Sequence, residues 1–316
     1  MAATPDHTPS PTIRRILVPL DGSDTSRAAL AYARQFTDAT IVLLQVGIDL
    51  TSIFPDFPAA ESDAVDTDIR NDLEAFAVPL RDEGLTVETI VEDGDPAERI
   101  VTTARRTAAD LIVMTTHGRG AAGRVLFGSV ADRVSRHAPM PTLLVRIGHE
   151  REVQPPTRIL VTLDGSARSE TALPLAARLG RSLGLPIVLT RVVTLEDTLG
   201  QAPRTQQRLP GRPLDTTDEA FAIAQKEIEL QAVAYLERLA GTVAGKVSTF
   251  VLHGSPAIAL LQELGPSDLA VITSHGTSGI SRWLLGSVAE KLVREAAAPV
   301  VLVPARNQES RSTEDL

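Results

Sequence analysis

The stretch Thr115–Ser129 reads TTHGRGAAGRVLFGS, and a second stretch, Thr273–Ser287, reads TSHGTSGISRWLLGS. Each leaves an apolar run, turns through glycines and closes on Gly-Ser. A strand that opens into a phosphate-sized loop and then enters a helix has this layout, because the first backbone N–H groups of the helix are free to bind an anion. An ordinary strand-turn-helix has it too. The surrounding sequence must therefore decide between a nucleotide site and a turn.

Upstream of the first stretch, Ile16-Leu17-Val18 is a short apolar run that stops at Pro19-Leu20-Asp21-Gly22-Ser23, a strand ending in a turn. Residues 25–37 place Ala29, Ala33 and Phe36 at helical spacing. Ile41 to Val46 reads as a second strand. Gly47 to about Ala64, rich in Pro, Asp and Ser, reads as a long loop, a functional flap or a mobile segment. A helix over about 66–83 ends near Gly84, suited to a left-handed cap. Val87 to Val91 is a third strand, Pro96 opens a helix, and Leu111-Ile112-Val113-Met114 is a fourth strand. After the glycine loop, 130–137 is helical and Thr142 to Val145 is a fifth strand. Strands that alternate with helices and are apolar on both faces predict a parallel sheet covered on both sides.

The pattern then repeats. Ile159 to Ser166 answers Ile16 to Ser23, Val192 answers Val46, Gly254 and Pro256 answer Gly94 and Pro96, and Gly276, Gly286 and Ser287 answer Gly118, Gly128 and Ser129. The second copy is longer between its second and third strands, from Thr194 to Gly241, and Gly200 to Pro213 within it has the composition of a flexible linker. The expected organisation is a disordered tail over 1–11, a first domain over 12–147, a linker over 148–156, a second domain over 157–305 and a polar tail over 306–316.

Composition narrows the function. A chain of 316 residues suits two domains. Aromatics at 3% leave few stacking platforms for single-stranded nucleic acid, and a net charge of -9 lacks the basic field of a phosphate-backbone binder. Nucleic acid is excluded as an expected partner. There is no cysteine, and hence no disulfide or thiolate site. The N-terminus lacks a secretory pattern, and no apolar run approaches the ~18–20 residues of a membrane span. The expectation is a cytoplasmic protein with no membrane partner.

Strand, Asp-Gly-Ser, strand ending in Val, Gly-x-Pro, strand, (Ser/Thr)-His-Gly, nine residues, Gly-Ser, then Pro-x-x-Leu-(Leu/Val): this succession resembles the universal stress protein family, here in tandem. The resemblance implies an α/β fold of two repeated, open, doubly wound five-stranded parallel sheets in the order 3-2-1-4-5, with helices on both faces. It also implies ATP as the cofactor, with magnesium only as the nucleotide's counterion. ATP-binding members carry Gly, two residues, Gly, nine residues, Gly, then Ser or Thr. Gly118, Gly128 and Ser129 fit the latter part, as do Gly276, Gly286 and Ser287; Thr115 and Thr273 stand where the first glycine belongs.

In such a sheet ligands bind beyond the carboxyl ends of the strands at the switch point, between strands 1 and 4. Asp21 and Thr115 to Gly118 both reach it, and a carboxylate there can accept hydrogen bonds from ribose hydroxyls or an adenine amino group. The resemblance assigns Asp21 with Val46, and Asp164 with Val192, to the adenosine site. Pro19, Leu20, Met114 and Val130 complete the expected lining in the first copy; Thr162, Leu163, Ile272 and Val288 do so in the second. Arg119 and Arg124 can neutralise phosphate charge in the first copy, whereas Thr277 replaces the first of these in the second, leaving Arg282 nearby. The first domain is therefore the expected better phosphate site.

Each feature also has a reading that needs no ligand. Ser129 with Asp132, and Ser287 with Glu290, fit helix capping; Asp21-Gly22-Ser23 and Asp164-Gly165-Ser166 fit turn chemistry; Gly94-Asp95-Pro96 and Gly254-Ser255-Pro256 fit a turn followed by a helix start. His117 and His275 have no second ligand at metal spacing. Gly241 to Val247 only imitates a phosphate loop: it has one residue too few between the glycines and Val where Ser or Thr must hold magnesium. None of the three lysines, Lys226, Lys246 and Lys291, lies in a glycine stretch, so lysine-dependent phosphoryl transfer has no candidate.

Three functional classes remain. They are an adenine-nucleotide-binding stress-response regulator with no committed catalytic residues, a ligand-free interaction module of the same fold with an unknown protein partner, and a slow ATP hydrolase resting on Asp21 and the His-Gly loops. Family members commonly dimerise through their last strands. The resemblance thus implies a pseudo-dimer within one chain, with Leu143–Val145 and Val300–Val303 as the seam, and leaves room for a homodimer.

Overall fold

The computed structural model describes residues 11–47, 59–116, 127–146, 154–197, 219–274 and 285–304. The chain forms two compact units, one of residues 1–155 with 177–185, the other of 156–176 with 186–316.

In the first unit β1 (Arg15–Leu20) is followed by a 3-10 turn (Asp24–Ser26), α1 (Arg27–Ala33), β2 (Thr40–Gly47), α2 (Ala59–Asp82), β3 (Thr86–Asp93), α3 (Pro96–Arg106), β4 (Leu111–Thr115), α4 (Ser129–His137) and β5 (Thr142–Val145). All pairings are parallel: β1 lies between β2 and β4, β3 flanks β2, and β5 flanks β4. The order is 3-2-1-4-5, as the resemblance implied. Ile16, Leu17, Val18, Leu111, Ile112 and Val113 are fully buried, as strands covered on both faces require. Helices α3 and α4 pack together, and α1 and α2 border a common groove.

The second unit carries β6 (Arg158–Leu163), α5 (Ala167–Glu170), α6 (Leu173–Leu183), β7 (Ile187–Val193), α7 (Glu219–Ala240), β8 (Val247–His253), α8 (Pro256–Glu263), β9 (Asp268–Thr273), α9 (Ser287–Glu295) and β10 (Val300–Val303). Strand β6 pairs with β7 and β9, β7 with β8, and β9 with β10, all parallel. This is the same order as in the first unit. The end of α6, residues 177–185, is the exception to the repeat, because it groups with the first unit. There Ser182 accepts the Ile13 N–H at 2.8 Å, and Arg178 donates to the Thr12 carbonyl at 3.0 Å and pairs with Asp110.

Two local expectations change. The helix expected over 25–37 starts as a 3-10 turn, with the Ser26 N–H and hydroxyl both donating to the Ser23 carbonyl, and its α-helical part ends at Ala33. The loop expected to run to Ala64 ends earlier, because α2 begins at Ala59. The Ala-Ala-Glu run there favours helix once Pro58 is passed. Residues 48–58, including the rest of that loop, lie outside the described residues. Gly84 terminates α2 with φ +89°, a conformation that glycine adopts without strain.

Candidate functional site

The carboxyl ends of β6, β7 and β9 and the first turns of α8 and α9 enclose a cleft of about 250 Å³ in the second unit. Nine residues singled out in the sequence line it: Thr162, Leu163, Asp164, Val192, Ile272, Thr273, Gly286, Ser287 and Val288. They come from four separate segments of the chain, and the parallel order brings them together because β6 lies beside both β7 and β9. The tenth, Gly276, lies outside the described residues, together with His275, Thr277 and Arg282.

In the first unit the counterparts occupy equivalent places. Pro19 and Leu20 end β1 with Asp21 directly after, Val46 is near the end of β2, Met114 and Thr115 end β4, and Gly128, Ser129 and Val130 start α4. Register sets Pro19 against Leu44 and Leu20 against Gln45, so these positions share the carboxyl edge of one sheet. His117, Gly118, Arg119 and Arg124 lie outside the described residues, and so does the comparison of phosphate-binding arginines that favoured the first domain.

The Asp-Gly-Ser turns are built alike. The Ser23 N–H donates to Asp21 Oδ1 at 3.0 Å and the Ser23 hydroxyl donates to the same oxygen; the Ser166 N–H and hydroxyl donate to Asp164 Oδ1 at 2.9 and 2.6 Å. Gly165 holds φ +87°, and a Cβ there would meet the Arg191 guanidinium at 3.2 Å. The positive φ selects glycine, since the guanidinium can swing aside but the backbone conformation strains any side chain. The turn reading is realised, and it also aims the carboxylate: Asp164 is fixed by its own turn and still lines the cleft.

The capping reading of the serines is not realised. Ser129 and Ser287 are the first helical residues, the caps are Gly128 and Gly286, and neither helix has a side-chain cap hydrogen bond. Asp132 and Glu290, the expected capping partners, instead form ion pairs one turn on, with Arg136 at 2.7 Å and Arg294 at 2.9 Å. Gly128 and Gly286 donate to the carbonyls of Thr116 and Ser274, both at 2.8 Å, which turns each helix start back onto the strand before it. Neither glycine has a positive φ, so absence of a side chain beside the cleft, and not backbone freedom, distinguishes it there.

By contrast, the turn and helix start expected at Gly94-Asp95-Pro96 are realised, and Asp95 caps α3, accepting the Glu98 N–H at 2.9 Å. Thr115 and Thr273 are buried strand ends that are tied into the fold. The larger groove, about 490 Å³ between α1 and α2, contains none of the designated residues.

Five cleft residues went unassigned by the sequence: Ser169, Thr190, Pro256, Leu260 and Ala289. Thr190 was within reach, since it precedes Val192 by two and strand alternation places both on one face. Leu260 sits one turn beyond Pro256 on α8. Ser169 needs the fold: its hydroxyl accepts the Asp164 N–H at 3.3 Å and donates to the Ser166 carbonyl at 2.8 Å, bracing the turn from α5. The Thr190 side chain, 1% exposed, has no partner for its hydroxyl among the described residues. An orphaned buried hydroxyl beside a cleft fits a site built for a polar ligand. Among the described residues there is no cluster that could hold a metal ion, and no helix long and apolar enough to cross a membrane.

The universal stress protein family profile matches residues 12–146 and 156–304. This chain belongs to the universal stress protein family. It is 28% identical over 305 residues to a universal stress protein of Mycolicibacterium smegmatis, covering 92% of this chain and 97% of that one. It is 29% identical over 306 residues to one from Mycobacterium tuberculosis, covering 91% and 96%. A universal stress protein of Methanocaldococcus jannaschii is 34% identical over 142 residues, 42% of this chain and 82% of that one, about the length of one copy. The crystal structure of a universal stress protein from Archaeoglobus fulgidus superposes with a TM-score of 0.60 at 18% identity, covering 92% of this chain and 98% of that one, a likeness of fold. Family and fold support a stress-response role for this tandem universal stress protein.

Proposed function

We propose that this universal stress protein binds an adenine nucleotide, ATP foremost, and signals through its bound state without committed catalysis. The observation that carries the reading is the convergence of nine sequence-designated residues on one cleft at the switch point of the second unit. Apolar walls from Leu163, Val192, Ile272, Val288 and Leu260 suit the faces of a base, and Asp164 offers a carboxylate for ribose hydroxyls. The uncapped start of α9, with Ser287 as its first residue, presents free N–H groups toward phosphate oxygens. The cleft is a little smaller than the roughly 300–1,000 Å³ of drug-sized sites, which suits the nucleoside half of the ligand.

The test is calorimetric titration of the full chain with ATP, alongside mass-spectrometric identification of nucleotide released on denaturing natively purified protein. Binding at micromolar concentration, weakened in Gly286→Glu by the added carboxylate, supports the reading. No binding at millimolar ATP overturns it. Thr273, buried in the cleft wall where the family pattern places glycine, favours the second reading, an interaction module that has kept the fold and lost the ligand. Stoichiometric binding removes that alternative as the main function.

A further inference from the structure

The two copies carry different residues at one register pair of their first two strands, which in the second unit lines the cleft. In the second unit Thr162 on β6 stands in register with Thr190 on β7, and both line the cleft. In the first unit the same register pair is Pro19 with Leu44. Leu44 and Thr190 are both fully buried strand residues, so the packing position is the same and only its chemistry differs.

A β-branched residue is expected there, and valine would fill the space with no polar atom to satisfy. Thr190 instead carries a hydroxyl that is without a partner among the described residues, although Thr162 is its in-register neighbour. Buried hydroxyls are otherwise nearly always paired. A partner supplied from the cleft resolves this. Asp164 and Ser287 stand where the chain turns out of β6 and where α9 begins, whereas Thr190 lies within β7, two residues before Val192. On the nucleotide reading, with phosphates at the start of α9, the part of the ligand nearest Thr190 is its base.

We propose that Thr190 is a specificity-determining residue of the second cleft: its hydroxyl hydrogen-bonds the polar edge of the bound base, where the first copy offers only the apolar contact of Leu44. This rests on the nucleotide reading of the cleft given above. A hydroxyl both donates and accepts, so it can take the proton of an exocyclic amino group or give one to a ring nitrogen.

The experiment uses the full chain carrying Gly128→Glu, which closes the first copy, and measures ATP affinity by calorimetry for Thr190, Thr190→Ser and Thr190→Val. Thr190→Val keeps the shape and removes the hydroxyl. The expected result is a loss of affinity of about tenfold in Thr190→Val, the scale of one unmade hydrogen bond, with near-normal affinity in Thr190→Ser. The thermal midpoint of the ligand-free Thr190→Val chain should be unchanged or raised, since an orphaned polar group has been removed. Equal affinity in Thr190→Val and the parent overturns the assignment of Thr190 and leaves the nucleotide reading intact. A lowered ligand-free midpoint together with lost affinity, restored by Ser in both measurements, assigns the hydroxyl to the fold and also overturns it. Absence of ATP binding in the parent, when the chain without Gly128→Glu binds only one equivalent, moves the nucleotide to the first copy and overturns the proposal; absence in both chains sinks the nucleotide reading itself.

Discussion

Single side chains in this protein are tuned by very local neighbours. Asp95 caps α3 and accepts a hydrogen bond from Arg133 at 2.7 Å; that bond, then the Glu98 N–H, lowers its pKa below the usual carboxylate value. A depressed carboxylate contributes stability that is present above the unfolded pKa of about 4 and is lost as pH falls through the folded value. The urea midpoint of wild type should therefore exceed that of Asp95→Asn at neutral pH and converge with it below about pH 4. Asp95→Ala, which also removes the cap, should cost about 1 kcal/mol in the same assay. Tyr235 shows the opposite case. Burial, reinforced by the nearby negative charge of Glu170, pushes its phenol up to about 12, while the guanidinium groups of Arg191 and Arg238 lie over its ring at 5.3 and 5.5 Å. Among the described residues the hydroxyl itself has no partner of good hydrogen-bond geometry. A raised phenol contributes stability that is full below about pH 10 and lost as pH climbs through the folded value. Wild type should thus lose stability between about pH 10 and 12, and Tyr235→Phe should lack that component of the loss in a pH series of thermal melts.

At the scale of elements, the second sheet is fastened at both ends of its central strand. The carboxyl end of β6 carries the cleft. Its other end is held by Arg158, which donates to Asp268 Oδ1 at 2.7 Å and Oδ2 at 3.1 Å and to Glu263 at 2.9 Å. Asp268, 5% exposed, also accepts the Gly265 N–H at 2.9 Å, and its bond to Arg158 raises the guanidinium pKa. Asp268→Ala should cost roughly 1.5–3 kcal/mol by chemical denaturation, the worth of hydrogen bonds to a charged group. Helix α7 packs Ile228 and Ala232 against Val193 and Val251 of the adjoining strands. Ile228→Ala should cost roughly 2–5 kcal/mol, because the sheet beneath is too rigid to close the cavity fully. Most elements were legible before the fold was seen, since apolar runs bounded by turn residues mark buried strands and Pro96 and Pro256 mark helix starts. The start of α2 was missed because turn composition outweighed a short Ala-Ala-Glu run. Capping at Ser129 and Ser287 was misplaced by one residue, because a serine before a helical pattern serves equally as cap or as first helical residue until the preceding glycine is seen to turn back onto Thr116 or Ser274.

Across the whole molecule, one architecture is used twice with unequal chemistry at the same place. If the second cleft holds the nucleotide, saturating ATP should slow amide exchange at Ser287–Ala289 and around Thr190–Val192, and leave the exposed α7 face bearing Ile223 and Leu230 unchanged in the same mass-spectrometric experiment. The amino-acid sequence by itself determined the duplication, the parallel strand-helix alternation and the family, because hydrophobic period, turn residues and glycine spacing are local and recur in one order. It also named the lining residues that stand beside those landmarks. Only the tertiary structure decided which of them share a cleft, that Ser169, Leu260 and Ala289 join them, and that the Thr190 hydroxyl has no partner among the described residues. Those facts depend on which strands become neighbours and on what fills the space between helices, and side chains far apart in the chain settle them only when they pack.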